Sequence, residues 1–323
     1  MKKSLTLATV CSLILICFAI ATSATIKKGA TIAFLRNNDV WLMDADGSNQ
    51  RPFVTGLTNA AGRLTWSPDN KKLAFARRGA LQLQYPDLGG HQHAVYDLFY
   101  AYTDSSNSFW ENITNTMGAQ YPEFSRDGSK IMFLHDLNAN MANVVKPNYR
   151  ICFYDTKTFL LRNLDLPASS ELMVGSPTMS PDARQVAFVV MRLQGEQFAT
   201  AGIAIAGVAE FPLKDDVILE RANKWQGATA PSWSPDGKWI AFMSSDLSNQ
   251  ALSITSPDLA QKKVLWKPSA GLGFAGGPVS WSPDSKFVVF ATQNGSIYKL
   301  AIAGGDPVRL SGPGTDYNPS WSN

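Results

Sequence analysis

The stretch Ala230-Pro-Ser-Trp-Ser-Pro-Asp-Gly-Lys-Trp-Ile-Ala-Phe242 decides the fold. Its left part is a short run ending in Trp233, residues 234–237 have the composition of a turn, and residues 238–242 are aromatic and aliphatic. The unit therefore reads strand, turn, strand. Pro235 presets φ, Asp236 accepts backbone hydrogen bonds, and Gly237 tolerates the positive φ with which many such turns close. A Ser and an Asp so close together also invite a catalytic reading. Turn chemistry repeated along a chain is spacing machinery, however, whereas catalysis needs one place.

Copies recur on the same offset: Leu64-Thr-Trp-Ser-Pro-Asp-Asn-Lys-Lys-Leu-Ala-Phe75, Tyr121-Pro-Glu-Phe-Ser-Arg-Asp-Gly-Ser-Lys-Ile-Met-Phe133, Ser176-Pro-Thr-Met-Ser-Pro-Asp-Ala-Arg-Gln-Val-Ala-Phe188 and Gly277-Pro-Val-Ser-Trp-Ser-Pro-Asp-Ser-Lys-Phe-Val-Val-Phe290. Asp316-Tyr-Asn-Pro-Ser-Trp-Ser-Asn323 supplies a left half alone, and Gly29-Ala-Thr-Ile-Ala-Phe34 a right half alone, so the two fragments complete one another. The aromatic or Met position falls at Trp66, Phe124, Met179, Trp233, Trp281 and Trp321, at spacings of 58, 55, 54, 48 and 40 residues. Each interval holds four short strands and their loops, which is one propeller blade. The expectation is an all-β, six-bladed β-propeller of four-stranded blades, with the N- and C-terminal strands closing the ring in one blade. Closure leaves no first or last face unpacked. The repeated Trp, Phe and Met are expected to pack between adjacent blades.

Residues 1–24 begin with Lys2 and Lys3, continue in an uncharged run rich in Leu, Ile and Ala, and end in small residues that offer cleavage after Ala21 or Ala24. This predicts a signal peptide over 1–24 and a propeller over 25–323, periplasmic or secreted. A retained anchor is the alternative, because the apolar run approaches spanning length, and Cys17 raises a lipid attachment that Ile16 before it disfavours. Without its first 24 residues the chain has 27 basic and 26 acidic residues, a charge of about +1 that asks for neither nucleic acid nor an anionic surface. Cys152 alone remains of three cysteines, so no intrachain disulfide forms in the body, and a buried inert thiol is the expected state.

Between the signatures, Asp39-Val-Trp-Leu-Met-Asp44 and residues 51–55 supply two strands about a turn at Asp46-Gly47. Asp44, Asp46 and Ser48 alternate like the opening of a calcium loop, but the downstream Glu is missing and a hairpin turn explains the same residues. His91 and His93, with Tyr96 and Asp97 near in sequence, form either a metal or ligand site or a strand-edge pair; no third ligand is visible. The tracts 103–116 and 138–148 read as exposed loops, with 150–155 and 160–164 as strands after the second. Residues 202–209 are small and predict close packing, followed by a charged turn at Lys214, Asp215 and Asp216. The glycines of 271–277 lack a phosphate-loop ending and read as a flexible rim loop.

The Trp-Ser-Pro-Asp-Gly-Lys...Ala-Phe form, with Val40-Trp-Leu-Met-Asp-Ala-Asp-Gly-Ser-Asn49, resembles the β-propeller repeats of the periplasmic TolB family over residues 28–323. In that family a six-bladed ring follows a separate α/β domain and docks envelope partners; here the few residues between signal and ring leave that domain out. Similar repeats accompany peptidase domains and oligosaccharide-degrading enzymes. The chain has no Gly-x-Ser-x-Gly elbow and no His-Glu-x-x-His, and its body has three histidines, His91, His93 and His135. No catalytic residue and no cofactor is assigned, and the metal question rests on His91 and His93. The resulting expectation is a monomeric, non-enzymatic binding or scaffolding propeller of the cell envelope with a protein, peptide or glycan partner and no membrane insertion after signal removal. The alternative is a lyase, lactonase or glycosidase whose residues come one per blade to the central channel.

Overall fold

The computed structural model describes residues 29–323 except 58–59, 85–91, 105–109, 115–117, 140–146, 167–169, 195–196, 226, 247–248 and 270–271. Strands β1 (Thr31–Arg36), β2 (Asp39–Asp44) and β3 (Arg51–Val54) open the first blade. Blade two is β4 (Ala60–Trp66), β5 (Lys72–Gln84), β6 (Gln92–Tyr102) and β7 (Trp110–Asn112), and blade three is β8 (Ala119–Phe124), β9 (Lys130–Asp136), β10 (Tyr149–Asp155) and β11 (Leu161–Leu164). Blade four has β12 (Leu172–Met179), β13 (Gln185–Gln194) and β14 (Gln197–Gly207), then the helix α1 (Asp215–Asn223). Blade five is β15 (Ala228–Trp233), β16 (Ile240–Asp246), β17 (Asn249–Thr255) and β18 (Lys262–Trp266), and blade six is β19 (Ser280–Trp281), β20 (Phe287–Thr292), β21 (Ser296–Ala301) and β22 (Val308–Arg309). The last strand, β23 (Asp316–Trp321), pairs antiparallel with β1 and completes the first blade. The protein is a six-bladed propeller of antiparallel sheets closed by its two ends.

The Ser-Pro-Asp turn is built as its residue types dictate. Asp236 Oδ1 accepts hydrogen bonds from Ser234 Oγ (2.7 Å) and the Lys238 N–H (3.1 Å), Ser234 Oγ accepts from the Trp239 N–H (2.9 Å), and Gly237 sits at φ 74°. Asn70, Ala183 and Ser285 take the same left-handed position at φ 56°, 56° and 58°. The split copy rebuilds this turn across the termini: the Ser322 N–H donates to Thr31 O (2.8 Å), the Thr31 N–H to Ser322 Oγ (3.2 Å), and Gly29, at φ 64°, to Asn323 O (2.9 Å). Behind the turns, Phe34, Phe75, Phe133, Phe188, Phe242 and Phe290 occupy one position in each second strand and are all fully or almost fully buried. Each blade thus contributes an equivalent ring to the core, worth about 3 kcal/mol or more apiece if removed.

Every junction between blades is bridged from one signature to the next. Trp66 Nε1 donates to Ser320 O (3.1 Å), the Phe124 N–H to Thr65 Oγ1 (3.2 Å), the Met179 N–H to Glu123 Oε1 (3.1 Å), the Trp233 N–H to Thr178 Oγ1 (3.2 Å), Trp281 Nε1 to Ser232 O (3.0 Å), and the Trp321 N–H to Ser280 Oγ (2.9 Å). The repeated aromatic and Met residues therefore do pack between blades, and the residue just before each is a latch onto its neighbour.

Three local readings are corrected. The charged segment after residue 209 is not a turn: Asp215 and Asp216 open α1 and Arg221 closes it, as the helix dipole favours. This helix stands where the other blades have a fourth strand, burying Ile218 and Ala222. Gly202 permits it, because a Cβ there would lie 2.3 Å from Ala222 O and 2.7 Å from Trp225 O, so the small residues of 202–209 do mark close packing. The tract 103–116 is not a plain loop, since β7 lies within it and Thr103 is buried. Nor is 271–277 merely a flexible rim: Phe274 is buried edge-on against Trp266 and Phe290, and the Cβ of any residue replacing Gly277 would meet Asn318 Oδ1 at 2.5 Å.

Candidate functional site: the channel and its two mouths

The six innermost strands surround a central channel, and two departures from the repeat meet inside it. Where the other blades place Ser or Thr before the aromatic position, blade three has Glu123, and blade two has Arg63 three residues before Trp66. The Arg63 guanidinium pairs with the Glu123 carboxylate and also donates to Pro177 O (3.1 Å) and Pro231 O (3.3 Å). One side chain from blade two thus reaches blades three, four and five and closes the bore. Glu123 further accepts from Thr178 Oγ1 (3.2 Å) and the Met179 N–H (3.1 Å), and burial pushes its carboxyl above the ordinary range against the pull of these partners. With both charges this fully engaged, the pair is a stopper. Aligning the copies reveals it, because a charge at a Ser/Thr position breaks the pattern, but only ring closure brings residues 63 and 123 together.

On the turn side of this stopper one mouth, narrow in the sense that its cavity is the smaller, encloses about 370 Å³ lined by Pro68, Pro181, Pro235, Pro283 and the repeated tryptophans. Arg126 replaces the turn proline in blade three and bonds the Pro235 carbonyl of blade five, strapping the mouth.

The opposite, wide mouth is different in kind. Two adjoining cavities of about 490 and 440 Å³ share Tyr121, Gly276 and Gly277. The larger is lined by Tyr121, Leu134, Tyr149, Met173, Val189, Met191 and Met243, from blades three, four and five. Gly175 makes room for Met191, whose methyl lies 3.0 Å from where a Cβ would stand. Tyr317, which lines the smaller cavity, extends the aromatic side, and burial raises its phenol. Tyr317 donates to Asn38 Oδ1 (2.8 Å), and Tyr149, hydrogen-bonded to Gln120, is pushed far above the usual phenol range by burial and by Asp136. The innermost strands bulge at this level, with Tyr121, Ser176, Ala230 and Asn318 all at positive φ (56°, 43°, 50° and 49°), which turns their side chains toward the mouth instead of along the ladder. Flexible thioethers and amphipathic rings make a surface that adapts to apolar side chains.

The residues singled out from the sequence fare unequally. His91 lies outside the described residues. His93 lies on β6 in register with Leu83, and His135 on β9 between Ala119 and Arg150. Tyr96 packs toward Phe133 and Cys152, whereas Asp97, next in the strand, accepts from Thr114 Oγ1 (3.1 Å), so the two serve different places. Among the described residues no three His, Cys, Asp or Glu side chains are grouped to hold a metal ion. Asp46 accepts from the Ser48 N–H and Oγ (2.9 and 2.6 Å), which makes the 44–48 segment the hairpin turn expected. Cys152 is buried, its thiol donates to Asn163 Oδ1 (2.8 Å), and burial raises its pKa to about 12. The 138–148 loop is pinched at its neck, where Asp136 Oδ1 accepts from the Asn138 and Asn148 N–H groups (3.1 and 2.8 Å); its centre lies outside the described residues.

With the ring and its channel established, comparison with solved structures is informative. TolB from Acinetobacter baumannii superposes with a TM-score of 0.64 over 91% of this chain at 19% identity, and this chain covers 66% of that one. The fold is that of the TolB propellers. A putative TolB from Agrobacterium tumefaciens gives a TM-score of 0.54 at 15% identity, covering 88% of this chain and 90% of its own. A periplasmic gluconolactonase from Pseudomonas aeruginosa reaches 0.48 at 14% identity, covering 91% and 99%. Neither a family model nor a curated protein sequence matches the chain. The chain spans about two thirds of the A. baumannii TolB, so the likeness carries the propeller and not the function of a whole protein.

Proposed function

We propose that this TolB-type propeller is a non-enzymatic binding protein of the bacterial cell envelope, exported by residues 1–24, that holds an apolar segment of a protein or peptide in its wide mouth. The observation that carries the proposal is the lining of that mouth: methionines, tyrosines and aliphatic side chains from three blades around a bore stopped by Arg63 and Glu123. A hydrophobic recess with a few hydroxyls at its edge suits anchoring side chains of a partner. A glycan would ask instead for a bed of hydrogen-bonding groups. The test is selection of a displayed random-peptide library on the immobilised protein. Peptides with aromatic or aliphatic anchors should be enriched, and Met191→Glu, which puts a charge into the recess, should weaken them by roughly tenfold or more. Absence of any selectable peptide, together with turnover of lactone or uronate substrates by the parent, would replace binding with catalysis.

A further inference from the structure

The hairpin between β10 and β11 exposes six consecutive residues, Lys157-Thr-Phe-Leu-Leu-Arg162. Phe159 and Leu160 are each 69% exposed and Leu161 47%, the largest run of exposed apolar side chains among the described residues. Folding does not ask for them. The turn needs a left-handed residue at position 159, where Phe sits at φ 60°, and Gly or Asn would satisfy that need at lower cost. Asp155, which accepts from the Lys157 and Thr158 N–H groups (3.0 and 2.8 Å), already fixes the turn. A bulky ring in a disfavoured conformation, with little burial to offset it, points outward to something else.

We infer that this hairpin is a membrane-docking tip that inserts Phe159 and Leu160 into the apolar boundary of a lipid bilayer. Two observations choose lipid over a protein groove. First, the tip is bracketed by the exposed cations Lys157 and Arg162, an arrangement in which apolar side chains enter the acyl region while the cations meet lipid phosphates. Asp155 is held by its own turn, and Glu111 on the neighbouring blade accepts from Tyr102 Oη (2.8 Å). Second, Tyr154, 6.2 Å from the Phe159 ring, and Tyr102 flank the tip with amphipathic rings of the kind that settle at headgroup level. Thr156 donates to Ser129 O (2.9 Å) and Gly128 O (2.8 Å), so the tip stands beside the Ser125-Arg-Asp-Gly128 turn of its own blade, on the turn side of the ring. Docked in this way, the ring turns its narrow mouth to the bilayer and leaves the wide mouth open to solution.

Amide hydrogen exchange of the full chain, with and without vesicles of phosphatidylethanolamine and phosphatidylglycerol, tests this independently of what occupies the wide mouth. Exchange at residues 157–161 should slow about tenfold when roughly nine tenths of the protein is bound, while Val308, equally exposed on an outer strand, should be unaffected. In the double variant Phe159→Asn, Leu160→Ser the protection should vanish, with the melting midpoint held or raised because Asn suits the left-handed turn. Unchanged exchange at the tip with vesicles present would overturn the inference. So would protection equal at Val308, or protection produced by vesicle-free protein extract and not by lipid.

Discussion

Replacing Trp321 by Ala should loosen the closing blade without touching the Tyr and Met recess of the wide mouth. The side chain is 8% exposed and packs with Ile32, Phe34, Val289 and Ile297, linking the first and last blades. Its Nε1 donates to Gly29 O (3.0 Å). Truncating a buried indole costs about 3–5 kcal/mol, the lost hydrogen bond included. For a body near this length each kcal/mol lowers the melting midpoint by roughly 1.5–2 °C, so a fall of about 5–10 °C is expected. Calorimetry or the near-ultraviolet signal would read it, with Val308→Ala as the control, since an exposed strand residue should change stability by no more than about 0.5 kcal/mol. A Trp321→Ala midpoint matching the control would refute the reasoning that the terminal strand holds the ring shut.

Deleting residues 316–323 removes β23 whole, including the buried Asp316 that pairs bidentately with Arg36 (2.7 Å for both contacts), and should abolish soluble expression or two-state melting. Arg63→Met alone strands Glu123 in the channel and should cost about 3–5 kcal/mol, whereas adding Glu123→Thr, the residue type of Thr65 and Thr178, should restore most of it; equal melting points for single and double variants would show that the pair is not a stopper. Asp127 is held at about 2, first by Ser125 and then by the Ser129 N–H, and Asp69, Asp182 and Asp284 are likewise lowered. Their contribution is therefore complete above the ordinary carboxylate range and lost as pH falls through it toward about 2, so Asp127→Asn should lower stability near neutral pH, converge on the parent at acid pH and so flatten the acid limb of a stability-pH curve. Mass measurement of protein recovered from its host should show loss of about 20 to 26 N-terminal residues, and an intact Met1 form would contradict export with processing.

The fold was legible because its determinants are local: the Ser-x-Asp turns carry their own hydrogen bonds, and the Phe of each second strand marks the core at a fixed offset. Ring closure was legible from two half-signatures that now share one turn through Ser322 and Thr31. The helix α1 was hidden because nine residues with two leading acids resemble a polar turn until Gly202 lets them pack. The candidate site was barely legible at all. Tyr121, Met173, Met191 and Met243 read singly as ordinary strand residues, and only the bulges and the ring bring them to one recess. Arg63 and Glu123 left a trace, as charges that break the repeat, but a linear reading has no reason to pair them. His91 and His93 drew attention for their chemistry, which is a property of residue type and not of place.

The central claim is that the wide mouth is where a partner is held. Its most direct test is amide exchange or chemical-shift mapping of the protein saturated with a selected peptide. The perturbed residues should include Tyr121, Tyr149, Met173 and Met191, on blades three and four, with the turn side around Pro68, Pro235 and Pro283 unchanged. Perturbation confined to the turn side, with the Tyr and Met recess unaltered, would contradict it.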